Sequence, residues 1–140
     1  MASTDRQSAQ AQRHIDWAAE YGPEENPIQL STYLQPAQQA RVAWLKEHVA
    51  GTVLEVGCSW GYILARVGGQ AGVDISPVCI GTAKLLARDR SFVLAPAQDL
   101  PFDDGVFGTV ILADVLEHMD WGEVPRAIKE ARRVANTRVL

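Results

Sequence analysis

The chain has 140 residues and 15.3 kDa, with 47% hydrophobic and 21% charged residues and a mean hydropathy of -0.07. These values fit one soluble globular domain and exclude collagen-like, disordered and disulfide-rich classes. The formal charge of -4 lacks a basic surplus for phosphates or anionic lipid, so we expect a small-molecule partner, no nucleic acid and no membrane. The polar start has no apolar signal region, which predicts a cytoplasmic location; Cys58 and Cys79 are expected to be reduced thiols.

The first 35 residues are predicted to be separate from the domain that follows. Residues 1–13 are rich in Ala, Ser and Gln and carry no apolar stripe, which favours a loose tail. Residues 15–35 contain aromatic residues broken by Gly and Pro, which favours short helical pieces. From Pro36, apolar residues recur at helical spacing until Gly51, so we predict a helix that opens a domain over 36–140.

Strand-like and helix-like stretches alternate after Gly51. The strands are short, apolar and rich in β-branched residues, and the helices carry caps or stop signals. The predicted strands cover residues 52–56, 71–75, 92–94 and 106–113, and a fifth starts at 137. The predicted helices between them cover residues 62–67, 78–88 and 124–134. Such alternation requires right-handed crossovers. We therefore predict an α/β, doubly wound, mainly parallel sheet with helices on both faces.

Small and acidic residues mark the carboxyl ends of the first two strands, where parallel sheets bind ligands. Glu55 lies in the first strand and Gly57, Ser59 and Gly61 follow it, so a ligand can approach the backbone N–H groups there. Asp74 ends the second strand, where a carboxylate can accept both hydroxyl protons of a ribose. Together these features predict a ligand that contains a nucleoside.

The spacing of this turn discriminates between nucleosides. Tyr62 stands five positions after Gly57, where the dinucleotide fingerprint needs glycine, and no Gly-Lys-Ser/Thr phosphate loop is present. Glu55 opposes a pyrophosphate and favours a ligand with positive groups. A nicotinamide-dependent oxidoreductase is therefore disfavoured.

Four segments resemble class I S-adenosylmethionine-dependent methyltransferases. LEVGCSWG is similar to the family's E/D-x-G-x-G-x-G motif, with Ser59 at the middle glycine, and GVDIS, AQDLPFDDGVF and ADVLEHM match later segments in order. The resemblance implies S-adenosyl-L-methionine as cofactor and methyl transfer to a small-molecule acceptor, whose O, N or C atom stays open. It also implies a seven-stranded sheet, of which we expect the first five or so strands here and an exposed apolar edge. The alternative is a non-catalytic S-adenosylmethionine-binding regulatory or assembly module.

The resemblance also assigns parts of the cofactor to residues. Asp74 would hold the ribose hydroxyls, and Gln98 would replace an acid that the family usually carries at Pro96 to accept from the adenine amino group. The expected cofactor-binding residues are Glu55, Gly57, Cys58, Ser59, Gly61, Asp74, Ile75, Ala97, Gln98 and Asp114.

Residues after the fourth strand and before the domain are candidates for the acceptor side. His118 can serve as a general base. Asp114, Glu117 and His118 carry metal-ligand chemistry, but three ligands on a short loop need not converge, so we predict no metal. By resemblance, residues 15–35 would form a lid that uses Tyr21 and Tyr33, so that residues 1–35 comprise a tail and a lid segment. Trp60 and Trp121 are further candidates for the pocket wall.

Overall fold

The computed structural model describes residues 33–140, so Tyr21, the predicted tail and most of the predicted lid lie outside the described residues. The elements in chain order are α1 (Pro36–His48), β1 (Val53–Val56), α2 (Tyr62–Val67), β2 (Ala71–Asp74), α3 (Pro77–Leu86), β3 (Ser91–Leu94), β4 (Phe107–Ile111), a 3-10 helix (Leu116–His118), α4 (Val124–Val134) and β5 (Ala135–Val139). No helix within residues 33–140 has the length and apolar character needed to cross a membrane.

The five strands form one sheet in the order β3-β2-β1-β4-β5, with every pairing parallel. The chain leaves β1 toward β2 and β3 and later returns to the other side of β1 with β4. The connections after β1 and β4 therefore diverge, which opens a crevice at the carboxyl ends of these strands. The α/β, doubly wound prediction is confirmed.

Local sequence explains where the helices begin and end. Pro36 and Pro77 lie in the first turns of α1 and α3, where a missing N–H costs no helical hydrogen bond. The Ser76 hydroxyl caps α3 by accepting the Cys79 N–H at 3.2 Å. Gly68 ends α2 with a φ of 73°, a left-handed conformation that glycine adopts without strain.

The core lies on both faces of the sheet because β1, β2 and β4 are buried along their whole length. Leu54 and Val110 pack toward α4, whereas Val53 and Ile111 pack toward α1 and α2. Alternate residues of one strand thus serve two helical layers. Residues on such strands form continuous apolar runs, which is why the sequence predicted them.

Two strand boundaries differ from the prediction, because an apolar residue at the start of β4 is exposed and polar residues at the start of β5 form a strand. The strand predicted at 106–113 covers only Phe107–Ile111, because Val106 is exposed and the chain turns at Asp114 with a φ of 54°. Strand β5 begins at Ala135, directly after α4, although the polar sequence ANTR gave no strand signal before residue 137. These residues have low strand propensity and form a strand because they pair with β4.

Candidate cofactor site

One cavity opens at the carboxyl ends of β1, β2, β3 and β4. It takes its walls from the loops that follow these strands and from Tyr33, ahead of α1. The lining residues are Tyr33, Glu55, Val56, Gly57, Cys58, Ser59, Ile63, Asp74, Ile75, Cys79, Ala95, Pro96, Ala97, Gln98, Ala113, Asp114, Val115, His118 and Met119. All the predicted cofactor-binding residues except Gly61 belong to this set, as does His118.

Asp74 joins the loop after β1 to the loop after β2. Its Oδ2 accepts the Ser59 N–H at 2.9 Å, and its Oδ1 accepts the Ser76 N–H at 2.9 Å. Asp74 is 8% exposed, so its carboxylate is buried in the wall of the cavity. Two carboxylate oxygens offer about four acceptor positions, so each oxygen of Asp74 keeps capacity for a further donor.

Glu55 places a second carboxyl group in the cavity wall from the middle of the sheet. It is 2% exposed, and its Oε2 accepts the Leu64 N–H at the start of α2 at 2.9 Å. Burial raises the pKa of Glu55 to about 8, the Leu64 bond opposes that rise, and the nearby Asp74 carboxylate adds to it. A cation brought against Glu55 would stabilise the ionised form and be held by it.

The glycine-rich turn after β1 uses left-handed backbone at three of its positions: φ is 74° at Gly57, 49° at Ser59 and 79° at Gly61. At Gly57 a Cβ would lie 2.5 Å from Cγ2 of Val115, which lines the same cavity. Only glycine therefore lets the first and fourth strand exits approach each other here. Ser59 occupies a conformation that glycine adopts more easily, which accounts physically for a glycine at this place in the resembled motif.

Gly61 and the two tryptophans take places other than those predicted. Gly61 is absent from the cavity lining; it is the N-cap of α2, and a Cβ there would meet the Phe92 ring at 3.0 Å. The absence of a side chain at Gly61 lets the start of α2 lie against Phe92 of β3. Trp60 does not line the cavity either, and Trp121 is 92% exposed, so the predicted aromatic walls are not formed by these residues.

The sequence analysis missed an ion pair between α1 and the end of β4. Arg41 donates from Nη1 to Asp114 Oδ1 at 2.6 Å and from Nη2 to Oδ2, a two-point contact. The hydrogen bond from Arg41 lowers the pKa of Asp114. The two residues stand 73 positions apart, and only the fold brings them together.

Tyr33 lines the cavity from its position ahead of α1. Its ring stacks on that of Tyr62 with centroids 4.3 Å apart, and Gln39 donates to the Tyr62 hydroxyl at 3.0 Å. Burial raises the pKa of Tyr33 to about 12, assisted by the charge of Glu55. The phenol therefore stays protonated at neutral pH and presents an O–H donor.

The β3 side of the cavity is mainly apolar. Ile75, Ala95 and Ala97 line it beside Pro96, and Gln98 adds a carboxamide. Cys58 and Cys79 are free thiols in the neighbouring wall, and burial raises the pKa of each. A thiol that is protonated and buried is a poor nucleophile, so these two residues serve as small apolar fillers.

His118 closes the 3-10 helix and faces the cavity near Asp114. Asp114 is engaged by Arg41, and within residues 33–140 no group of three His, Cys, Asp or Glu side chains is placed to hold a metal ion. The acidic cluster considered at 114–118 therefore does not converge in the described part of the chain.

A parallel sheet with a glycine turn after β1 and an acid at the end of β2 is typical of nucleoside-binding α/β folds, which include the class I S-adenosylmethionine-dependent methyltransferases. The family model described as "Methyltransferase domain" matches residues 54–138. The chain belongs to this family.

Three relatives show how far the similarity extends. The chloroplastic tocopherol O-methyltransferase of Arabidopsis thaliana is 35% identical over an alignment of 94 residues that covers 59% of this chain and 26% of that protein. The PH0226 protein of Pyrococcus horikoshii OT3 is 27% identical with a TM-score of 0.68, covering 83% of this chain and 57% of that one. Magnesium protoporphyrin IX methyltransferase of Synechocystis PCC 6803, solved with bound SAH, is 24% identical with a TM-score of 0.71, covering 97% and 69%. The chain thus spans about a quarter of the length of the plant relative.

Proposed function

We propose that this chain binds S-adenosyl-L-methionine in the cavity and transfers its methyl group to a small-molecule acceptor. The observation that carries the proposal is the placement of Glu55 and Asp74, two buried carboxyl groups at adjacent strand ends of one cavity. A ligand with both positive groups and a diol satisfies them together. S-adenosylmethionine has a sulfonium, an ammonium and a ribose.

The chemistry of the cavity walls suggests how the ligand lies. The β1 and β4 side carries Glu55 and Asp114 and suits the cationic methionine part, with Gly57 to Ser59 beside it. Asp74 lies at the end of β2 and suits the ribose. The apolar β3 side suits a flat base. The order of the strands, β3-β2-β1-β4, thus parallels the order base, ribose, methionine.

The protein's contribution to transfer is positioning. A sulfonium methyl is already a reactive electrophile, so most of the acceleration can come from aligning the acceptor and excluding water. His118 lies on the β4 side, beyond the expected methionine part, where it can accept the proton that a hydroxyl or amine acceptor loses as the new bond to methyl forms. The acceptor atom and its identity stay open.

The alternative is a binding module without catalysis, and methyl transfer separates the two. The chain is incubated with methyl-labelled S-adenosylmethionine and a panel of hydroxyl, amine and carbon-acid metabolites. We expect labelled product, and we expect H118A to slow its formation while H48A does not, since His48 bonds the Trp44 carbonyl and lies outside the cavity lining. Tight cofactor binding without transfer to any acceptor would favour the module.

A lid formed by residues 15–35, a cytoplasmic location and the lack of a nucleic-acid partner remain predictions from the sequence. Tyr33 supports the first of these, because it is the described residue of that segment that lines the cavity.

A further inference from the structure

The segment between β3 and β4 forms part of the cavity wall without a helix or strand of its own. Residues 95–98 of this segment line the cavity, and residues 99–106 continue to β4. Ala97 and Leu100 are buried in the core cluster that includes the apolar face of α4. Buried backbone groups outside a regular element need partners from elsewhere in the fold. The shape of this wall therefore depends on what holds its backbone.

Two side chains near the end of α4 hold this segment. The carboxylate of Glu130 accepts the Leu100 N–H at 2.8 Å. The guanidinium of Arg133 donates from Nη2 to the Leu100 carbonyl at 2.9 Å and from Nη1 to the Phe102 carbonyl at 2.8 Å. Both backbone groups of Leu100, two positions after the cavity-lining Gln98, are therefore paired by α4.

Glu130 and Arg133 also fix each other. Arg133 donates from Nε to Glu130 Oε1 at 2.7 Å and from Nη2 to Oε2 at 2.8 Å, and its Nη1 bonds the Asp104 carboxylate at 2.8 Å. Arg133 thereby uses each of its N–H donors. The hydrogen bond from Arg133 lowers the pKa of Glu130 to about 2, so this carboxylate is ionised at neutral pH. Charge-assisted hydrogen bonds are the strong ones, so the Glu130–Arg133 pair is a firm support for the segment.

We propose that Glu130 and Arg133 are positioning residues for the cofactor, which set its affinity by holding the cavity wall that follows β3. This inference rests on the proposed function. Neither residue lines the cavity, so both act through the segment that they hold. A binding wall keeps its full affinity only when supporting hydrogen bonds hold it to within about 0.5 Å. Without Arg133, the carbonyls of Leu100 and Phe102 lose their donors and the wall loosens.

The test measures S-adenosylhomocysteine affinity by calorimetric titration of the intact chain, at a temperature where melting curves show each variant to be fully folded. R133M keeps the aliphatic stem and removes the hydrogen bonds, so we expect binding about tenfold weaker than in the unmodified chain. G68A is the control for lost stability, because alanine is costly at a φ of 73° and Gly68 does not line the cavity. Its affinity should stay within about twofold, as should that of R132M at the exposed neighbouring position.

The outcomes separate positioning from stability. Equal affinities of R133M and the unmodified chain would overturn the inference, and so would an equal loss of affinity in R133M and G68A, because lost stability would then explain both. If R133M does not fold, E130Q decides: its single acceptor oxygen must serve the Leu100 and Arg133 N–H groups that the two oxygens of Glu130 accept, so we expect binding at least about threefold weaker.

E130Q binding at the unmodified affinity would overturn the inference in that case. Failure of the unmodified chain to bind S-adenosylhomocysteine would contradict the proposed function itself.

Discussion

The carboxylate of Asp74 accepts the backbone N–H of Ser59 across the gap between the ends of β2 and β1, at 2.9 Å. Its other oxygen accepts the Ser76 N–H at the same distance. One side chain at the second strand end thereby fixes both loops that we assign to the ligand. Ligand binding and the local fold should therefore fail together when this carboxylate is changed.

We predict that D74N destabilises the chain by about 1–3 kcal/mol, because an amide has one acceptor oxygen and leaves one of the two buried N–H groups unpaired. It should also weaken S-adenosylmethionine binding at least about tenfold. Urea denaturation and calorimetry measure the two effects. D89N is the matched control, since Asp89 is exposed and, among residues 33–140, its carboxylate pairs with Arg90 alone. Binding by D74N at the unmodified affinity would remove Asp74 from the site.

The ionisation of Glu55 should make stability depend on pH. Its pKa is about 8 in the folded chain against an ordinary value of 4.5, so between these values the folded chain holds a proton that the unfolded chain releases. Stability from this group is therefore greatest at low pH and falls as pH rises from 4.5 to 8, by at most about 1.4 kcal/mol per pH unit.

E55Q removes this titration and can keep the Leu64 hydrogen bond through its amide oxygen. Compared with the unmodified chain, E55Q should gain stability progressively between pH 5 and pH 8 in urea denaturation, and it should lose affinity for S-adenosylmethionine. A stability difference between the two proteins that stays constant over this range would show that Glu55 does not titrate as described.

Gly57 and Gly68 form a matched pair that separates backbone strain from crowding. Their φ angles are 74° and 73°, but a Cβ at Gly57 would lie 2.5 Å from Val115 whereas one at Gly68 would meet nothing within 4 Å. We expect G68A to cost about 1–2 kcal/mol for left-handed backbone alone. G57A should cost about 1–3 kcal/mol more through the contact with Val115.

The added cost of G57A should shrink in the double variant G57A/V115A, measured by thermal unfolding against V115A alone. Equal costs for G57A and G68A would mean that the close approach of the first and fourth strand exits is not needed.

Tyr33 should contribute to ligand affinity as part of the predicted lid. Y33A removes a ring that lines the cavity and stacks on Tyr62, so we expect affinity for S-adenosylmethionine to fall by roughly three- to tenfold, about the value of an aromatic contact. Y33F keeps the stacking and should bind nearly as well as the unmodified chain. Deletion of residues 1–35 should weaken binding at least as much as Y33A. Equal affinity in the deleted form would end the lid hypothesis.

Most of the fold was predictable because its local signals agree. Buried strands such as β1 and β4 form apolar runs, and Ser76 with Pro77 marks the start of α3 in the sequence itself. Strand β5 was harder, since its polar residues become a strand only by pairing with β4. Its start was therefore placed two residues late.

Candidate site residues could be predicted from the sequence where the same residue also has a role in backbone geometry. Gly57 and Asp74 are marked in the sequence by a turn and a strand end, and both line the cavity; their contact with a ligand stays a prediction. The Arg41–Asp114 pair carries no local signal because its members meet only in the folded chain. Gly61 shows that a motif position can also serve packing: the resemblance implied ligand contact there, and in the structure a Cβ would meet the Phe92 ring. The sequence offers one hint of the Arg41–Asp114 pair: the two residues carry opposite charges, one near the start of the domain and one after the fourth strand.

The central claim is that the cavity takes a cationic nucleoside sulfonium and not a dinucleotide. Calorimetric titration of the intact chain with S-adenosylmethionine and, separately, with NAD tests it most directly. We predict saturable binding of S-adenosylmethionine and affinity for NAD at least about a hundredfold weaker, since Glu55 and Asp74 offer two acidic groups and the cavity lining within residues 33–140 holds no Lys or Arg for a pyrophosphate. NAD binding as tight as that of S-adenosylmethionine, or no binding of S-adenosylmethionine, would contradict the claim.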